Sequence, residues 1–482
     1  MELPLLRALT FTCAIDSDGS HKRQLSQAAA ELRKKLFLGE QLAAGIHLQN
    51  LSTSTSAVTV QPAKNLAGSL RLPGDKSISH RYAMLGALAE GVTELENFSS
   101  GADCASTLAC LRALGCAIER QEGTVRLQGM GPELAAPQQE LECGNSGSTM
   151  RMLAGILAGQ NFASVLVGDE SLSRRPMQRI MAPLEKMGAA ITAGEGCRPP
   201  LRIRGARLHA VEYQMPVASA QVKSALLFAG LLAEGETVVE EPVPTRDHGE
   251  LALQTFGARV SRGGNRCSIR GGQKLRAIRA GIPGDISSAA FFLCAAAIFP
   301  ESNLVVDELL LNPTRAAILD VLIAMGVRVT VLKIEEHHGE LAGTVQVRHG
   351  GPLCGTRIAG AQAAAMIDEL PVLAAIAPYT EEGIEIRDAR ELRVKESDRI
   401  AAMAENLRAM GAQVQVRDDG LLIPGRQSLH GAELDSFGDH RIAMASAVAA
   451  LRAASPVQIR NAGVVDISYP GFFPTLDALL ER

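Results

Sequence analysis

Apolar residues along the chain gather into short helical stripes, each closed by a glycine, a small or charged residue and a brief strand-like run. The pattern recurs as Leu111-Arg-Ala-Leu-Gly-Cys-Ala-Ile, Leu184-Glu-Lys-Met-Gly-Ala-Ala-Ile, Leu253-Gln-Thr-Phe-Gly-Ala-Arg-Val, Leu322-Ile-Ala-Met-Gly-Val-Arg-Val and Leu407-Arg-Ala-Met-Gly-Ala-Gln-Val, at intervals of 73, 69, 69 and 85 residues. A glycine after an apolar helical turn predicts a left-handed C-cap that swings the chain into the next strand. A period of about 70 residues is too long for a solenoid and suits an α/β unit of two helices and three or four strands. Two further apolar runs, Ala225–Ala233 and Ala289–Phe299, are Ala-rich and read as buried helices.

The spacing also predicts how the units are grouped. Three fall between Lys76 and about Gly284, and the others lie beyond. We therefore expect two similar domains, one of residues 76–284 and one of 58–75 plus 285–482. The chain would cross between them near residues 75 and 284, with Gly74, Gly281 and Gly284 as hinge positions. The end, Pro470 to Arg482, reads as a helix with no strand after it, so the strand before Lys76 is expected to complete a sixth unit. Residues 1–57 stand outside the periodicity as an N-terminal extension. Within it, 21–45 read as a charged helix and 50–57 as a linker.

Composition narrows the function. Aromatic residues are only 3% with no Trp, which argues against stacking platforms for single-stranded nucleic acid. The net charge of −4 provides no global basic field, so any anion site must be a local cluster. No apolar run reaches the roughly 18 residues of a membrane helix. Met1 to Ala14 carries Glu2 and Arg7 without a basic leader, which argues against a signal peptide. The nine cysteines contain no C-x-x-C pair, and the even spacing of Cys104, Cys110 and Cys116 fits no zinc pattern. These features predict reduced thiols, a cytoplasmic protein, no metal and no membrane or nucleic-acid partner.

Local cation clusters are what the chain does carry. Pro73-Gly-Asp-Lys-Ser-Ile-Ser-His-Arg81 places Lys76, Ser77 and Arg81 at a turn that opens a helix, where free N–H groups and the positive dipole end favour an anion. A Walker A loop is disfavoured because Asp75 separates Gly74 from Lys76; a solvated helix start remains the alternative. Gly144-Asn-Ser-Gly-Ser-Thr-Met-Arg151 is a glycine turn opening an apolar helix, either an anion cradle or a simple cap. Ser219-Ala-Gln-Val-Lys-Ser reads first as a cap. In Arg393-Val-Lys-Glu-Ser-Asp-Arg399 a helix would put Lys395 and Arg399 on one face, as a salt-bridge ladder or a site. Asp368 interrupts a helix-like apolar run and must be paired or functional.

Together these segments resemble the 5-enolpyruvylshikimate-3-phosphate synthase family. The likeness also takes in Arg174-Arg-Pro-Met, Asp439-His-Arg-Ile-Ala-Met and the family's motif order, and it covers residue 58 to the C-terminus. The resemblance implies an inside-out α/β barrel of two domains, each of three βαβαββ units, with the active site in the cleft between them. It implies transfer of the enolpyruvyl group of phosphoenolpyruvate to the 5-hydroxyl of shikimate 3-phosphate, on the route to chorismate and the aromatic amino acids, by a monomer without cofactor. It assigns Lys76, Ser77, Arg81, Ser219, Ala220, Gln221, Arg246, Asp368 and Lys395 to shikimate 3-phosphate. Lys76, Gly147, Arg151, Arg175, Gln221, Arg399 and Arg441 are assigned to phosphoenolpyruvate. Asp368 is the implied base, and Glu396 and Lys76 the implied proton carriers. Glyphosate is the family's inhibitor at the phosphoenolpyruvate site.

Met152 stands where the enteric pattern has Pro, and Ile467 where an active-site Lys is often seen. Both departures resemble the second, Gram-positive-like class. Two alternatives are a UDP-N-acetylglucosamine enolpyruvyl transferase and a non-catalytic anion-binding repeat protein. The first begins with a Lys-Asn pair and uses a loop Cys, whereas here Ser77 follows Lys76. The second would need no matched acid and base.

Overall fold

A computed structural model describes residues 57–482; the helix expected over 21–45 and the linker up to residue 56 lie outside the described residues. Six helices are buried along almost their whole length: Lys76–Leu88, Gly147–Ala158, Ala220–Leu232, Ile286–Ala297, Leu370–Ile376 and His440–Ala450. We call them the first to sixth inner helices. A helix that is apolar or small all round has no face to give to water and ends up enclosed. Small side chains allow close packing: a Cβ on Gly155 of the second inner helix would lie 2.2 Å from the Ala225 carbonyl of the third.

Around them lie six outer helices, Ala102–Ala113, Gln178–Lys186, His248–Thr255, Ala317–Ala324, Arg399–Ala409 and Phe472–Leu479. The first five end at the glycines of the sequence repeat. Gly115, Gly188, Gly257, Gly326 and Gly411 all have φ between +91° and +111°, the left-handed region that a side chain would strain. The following residues form the third strand of each unit, as the periodicity predicts.

Each unit's opening strand pairs parallel with the strand after its inner helix, and the last strands add antiparallel. In the second unit the order is Leu141–Glu142, Ala163–Val167, Arg198–Arg204, Ala190–Gly194. Three such sheets enclose the first three inner helices and three enclose the last three, which gives two similar domains with helices inside and strands outside. No helix among the described residues is long and apolar enough to cross a membrane.

Closure of the units differs from the expectation in two ways. The strand before Lys76, Asn65–Arg71, opens the fourth unit by pairing parallel with Asn303–Leu310. The sixth unit is instead completed by Val58–Val60, antiparallel to Val457–Arg460. The C-terminal helix is also followed by a short strand, Leu480–Glu481, which pairs with Asn65 and Leu66. Two residues are too few for a sequence pattern to register. The first unit is closed from the far end of its own domain, by Arg279–Gly281 beside Val92–Glu96.

Pro-Gly-Asp occurs twice, at 73–75 and 283–285, each time just before an inner helix. The two copies lie side by side: Gly74 and Gly284 form an antiparallel bridge, Asp75 N donates to Pro283 O (2.8 Å) and Asp285 N donates to Pro73 O (3.0 Å). Each aspartate then caps the inner helix that follows it.

Candidate active site

The inner helices begin at one place. Asp75, Ser146, Ser219, Asp285 and Asp439 cap five of them with a side-chain oxygen, and Glu369 precedes the remaining one, the fifth. Contacts between their first turns link all six. Lys76 N donates to Asp285 Oδ2 (3.0 Å) and Arg81 Nη2 to the Ala220 carbonyl (3.4 Å). Gln221 Nε2 donates to Ser148 Oγ (2.8 Å), Ser287 Oγ to Glu369, and Arg441 Nη1 to the Asp368 carbonyl (2.8 Å). Six helix N-termini aimed at one region provide positive potential and free N–H groups for anions.

Three arginines of the first domain rest chiefly on neutral acceptors. Arg81 donates to Ser224 Oγ (3.1 Å) and to the Ser77 carbonyl (2.8 Å). Arg151 donates to Gln221 Oε1 (2.8 Å), and Arg175 to Asn145 Oδ1 (2.8 Å) and Ser171 Oγ (3.1 Å). Burial pushes Arg81 down to about 10 and, with Arg179 and Arg175 nearby, Arg151 down to about 9. Both remain charged at neutral pH, with charge to spare. A Cβ on Gly147 would lie 2.6 Å from Arg151 Nη1 and 3.5 Å from Arg175 Nη1, so this glycine leaves the two guanidinium groups their room. Lys76 instead meets a carboxylate of its own domain: its Nζ sits 2.9 Å from Asp103 Oδ2, and that carboxylate raises its pKa although burial alone would lower it.

The second domain is arranged around carboxylates. Asp368 meets Arg246 Nη2 (2.8 Å), Arg399 Nη1 (3.3 Å), Lys395 Nζ (3.6 Å) and Arg441 Nε (4.0 Å). Burial would raise its pKa, but these four cations hold it well below the usual carboxylate range. Glu396 accepts from Arg399 Nη2 (2.7 Å) and lies 3.5 Å from Arg175 Nη1. It too is held well below the usual range, against its burial. Arg399 is almost fully enclosed and also donates to Asp439 Oδ2 (2.8 Å). Arg246–Asp368 and Arg175–Glu396 span the two domains, so the facing surfaces attract as well as repel.

Two local expectations need correction. Lys395 and Arg399 do not share a helix: Arg390–Val394 is a 3-10 turn, Lys395 is extended, and Asp398 caps a new helix that starts at Arg399. An aspartate followed by an apolar-periodic run starts a helix rather than continuing one. Asp368 lies in a turn between the helices Gly360–Ala365 and Leu370–Ile376, not within a helix. Pro371 fits only the first turn of a helix and so fixes a start just after Asp368.

The remaining predicted residues lie in the same cleft. Ser219 caps the third inner helix through Val222 N (3.4 Å), followed by Ala220 and Gln221. Met152 is buried in the second inner helix. The Ile467 carbonyl packs against Gly101, just before the helix that carries Asp103. Three residues went unnoticed in the sequence. Asp103 has no motif of its own. Asp439 carries a cap signal and could have been found. His440 is buried, neutral through burial and the nearby Lys76 and Arg441, and neither ring nitrogen has a hydrogen-bond partner among the described residues.

Fold and cleft define a class: a two-domain α/β protein whose inner helices converge on a cation-lined cleft containing two ionised carboxylates. The family model for EPSP synthase (3-phosphoshikimate 1-carboxyvinyltransferase) matches residues 60–476, and the chain belongs to the EPSP synthase family. It is similar to a 3-phosphoshikimate 1-carboxyvinyltransferase of Koribacter versatilis, 60% identical over 88% of this chain and 100% of the relative. One from Solibacter usitatus is 52% identical over 88% and 99%. The structure resembles that of EPSP synthase from Acinetobacter baumannii with a TM-score of 0.80, 41% identity, and coverage of 89% and 98%.

Proposed function

We propose that this protein transfers the enolpyruvyl group of phosphoenolpyruvate to the 5-hydroxyl of shikimate 3-phosphate and releases phosphate. The observation that carries the reading is Asp368 set among four cations from both domains. A site for anion storage gains nothing from an embedded carboxylate, whereas a site that deprotonates a hydroxyl beside two polyanions needs one. Non-catalytic binding is disfavoured by the same group, and UDP-sugar transfer by Ser77 after Lys76.

In this reading Lys76, Ser77, Arg81, Ser219, Ala220, Gln221, Arg246 and Lys395 hold shikimate 3-phosphate. Lys76, Gly147, Arg151, Arg175, Gln221, Arg399 and Arg441 hold phosphoenolpyruvate. The charge balance gives the order of proton transfers. In the empty cleft Asp368 is a weak base because four cations compensate it. Substrate phosphates and carboxylates occupy those cations and return basicity to Asp368 when the hydroxyl is in place. The hydroxyl oxygen then bonds to C2 of phosphoenolpyruvate while Asp368 takes its proton. Lys76, kept protonated by Asp103, delivers a proton to the methylene carbon. Elimination removes a proton from that carbon, breaks the C2–O bond to phosphate and restores the double bond, which leaves the enol ether product and free phosphate. Glu396 is ionised and suits the acceptor's part in this second step.

The reading extends to domain limits of 76–284 and of 58–75 plus 285–482, placed at the doubled Pro-Gly-Asp. It also extends to a monomer in the cytoplasm, in keeping with described cysteines that are all free thiols. A coupled assay for phosphate release tests the function. Release should require both substrates, and no release with shikimate 3-phosphate but turnover with UDP-N-acetylglucosamine would overturn it.

A further inference from the structure

Beneath the crossing lies a buried polar cluster that the anion cleft does not use. At its centre is Arg315, which is 2% exposed. Its Nη1 donates to Asp75 Oδ2 (3.2 Å) and its Nη2 to Ser287 Oγ (2.8 Å). Ser287 donates in turn to Glu369 Oε1, which lies 4.0 Å from Arg315 Nη2. His248 Nε2 is 3.4 Å from Arg315 Nη1, and His248 Nδ1 is 2.6 Å from Glu340 Oε1. Asn312 joins Glu340 (2.8 Å) to Asp247 (2.9 Å).

The two carboxylates nearest Arg315 occupy telling positions. Asp75 directly precedes Lys76, and Glu369 directly follows Asp368. Asp75 belongs to the crossing and caps the first inner helix; Glu369 belongs to the turn before the fifth. A guanidinium is a rigid planar fork and can hold two partners at a fixed separation, which an ammonium on a flexible stem cannot. Enclosed charges of this kind are held in place because leaving either unpaired is costly.

We propose that Arg315 is a positioning residue that sets the distance between Lys76 on one side of the cleft and Asp368 on the other, acting through Asp75 and Glu369. This rests on the roles given above to Lys76 and Asp368. Arg315→Lys keeps the charge and loses the fork. Glu369→Gln leaves Arg315 paired with Asp75 and weakens only the anchor beside the base. Misplacement of reacting groups by about 1 Å costs on the order of 100-fold in rate, so both variants should lose between about tenfold and 100-fold in kcat. Their KM values for both substrates should stay within about threefold of the parent, because the cations of the cleft are untouched.

Steady-state kinetics and thermal melting, run together on the full-length enzyme, decide the matter. A lowered kcat with near-parental KM in folded Glu369→Gln supports the role, even if Arg315→Lys fails to fold. A kcat within twofold of the parent in folded Glu369→Gln overturns it, and a lowered melting midpoint beside that normal kcat identifies a purely stabilising cluster. Asp368→Asn in the same series separates the two readings. Normal turnover there removes the base and the positioning role with it, whereas loss there with normal Glu369→Gln removes only the positioning role.

Discussion

The two walls of the cleft hold their cations differently. On the first domain, Arg81, Arg151 and Arg175 donate chiefly to hydroxyl, amide and carbonyl oxygens. On the second, Arg399 and Lys395 sit against Asp368, Glu396, Glu391 and Asp439. A neutral partner orients a guanidinium without cancelling its charge, so Arg81 and Arg151 are left prepared for a ligand, while Arg175 and Arg246 also reach Glu396 and Asp368 on the other wall. The second wall is already balanced, and its carboxylates are poised to exchange partners. The first wall is built chiefly to attract, and the carboxylates of the second, together with Lys76, move protons once attraction has been met.

The strongest way to break this comparison is to remove the carboxylate of the second wall. Asp368→Asn should lower kcat by about 10²–10⁴, the range of a positioned acid or base, with much smaller changes in KM. Lys76→Met should abolish turnover. Steady-state rates near normal in Asp368→Asn would mean that the second wall only binds.

Removing charge from the first wall should act on binding instead. Arg151→Gln is expected to raise the KM for phosphoenolpyruvate about 10- to 100-fold, as for loss of a hydrogen bond to a charged group, with a smaller change in kcat. A loss confined to kcat would erase the distinction between the walls.

Gly147→Ala sharpens the contrast within the first wall. The added methyl meets the Arg151 guanidinium, so both phosphoenolpyruvate and the longer glyphosate should bind less well. Glyphosate should lose about tenfold more, since specificity is a difference of two affinities. Inhibition constants and KM values for parent and variant give the answer; equal losses would show that Gly147 shapes the site without measuring length.

Acid should expose the balance of the second wall. Asp368 and Glu396 both ionise more readily in the folded protein than in the unfolded chain. Their contribution to stability is therefore complete above their unfolded pKa values, roughly 3.9–4.3, and is lost as pH falls through the lower folded values. Glu396→Gln should flatten the acid limb of the melting midpoint between about pH 5 and pH 2. An unchanged acid limb would place the acid sensitivity in other groups.

Much of this arrangement was legible because it rests on local chemistry. The five repeat glycines announced a left-handed turn before a strand, and five of the six outer helices end at one. Lys76, Gly147, Ser219 and Arg441 stand at helix starts because caps and turns are written in adjacent residues. What stayed hidden was either irregular or distant. The break at Lys395 and the turn at Asp368 are decided by Asp398 and Pro371, whose signals were present and overridden by the lure of a continuous helix. Asp103 and Arg315 gain meaning only from partners 27 and 240 residues away. Opposite charge across the cleft was hidden for the same reason. Arg246–Asp368 and Arg175–Glu396 pair residues far apart in sequence, so no local motif shows them.

The crossing at the paired Pro-Gly-Asp segments has a consequence for how the chain is made. Asn65–Arg71 leaves the ribosome before the entire first domain, yet its partner strand begins only at Asn303, which pairs with Ala67. Val58–Val60 waits longer still, for residues 457–459. At roughly 5–20 residues per second the first strand spends at least about ten seconds with its edge open while another domain assembles in front of it. That domain needs nothing later than Arg279–Gly281 to close its own sheets. Order of synthesis therefore becomes order of assembly: the wall that attracts substrate is completed first, and the wall that moves protons is finished around the strand left waiting.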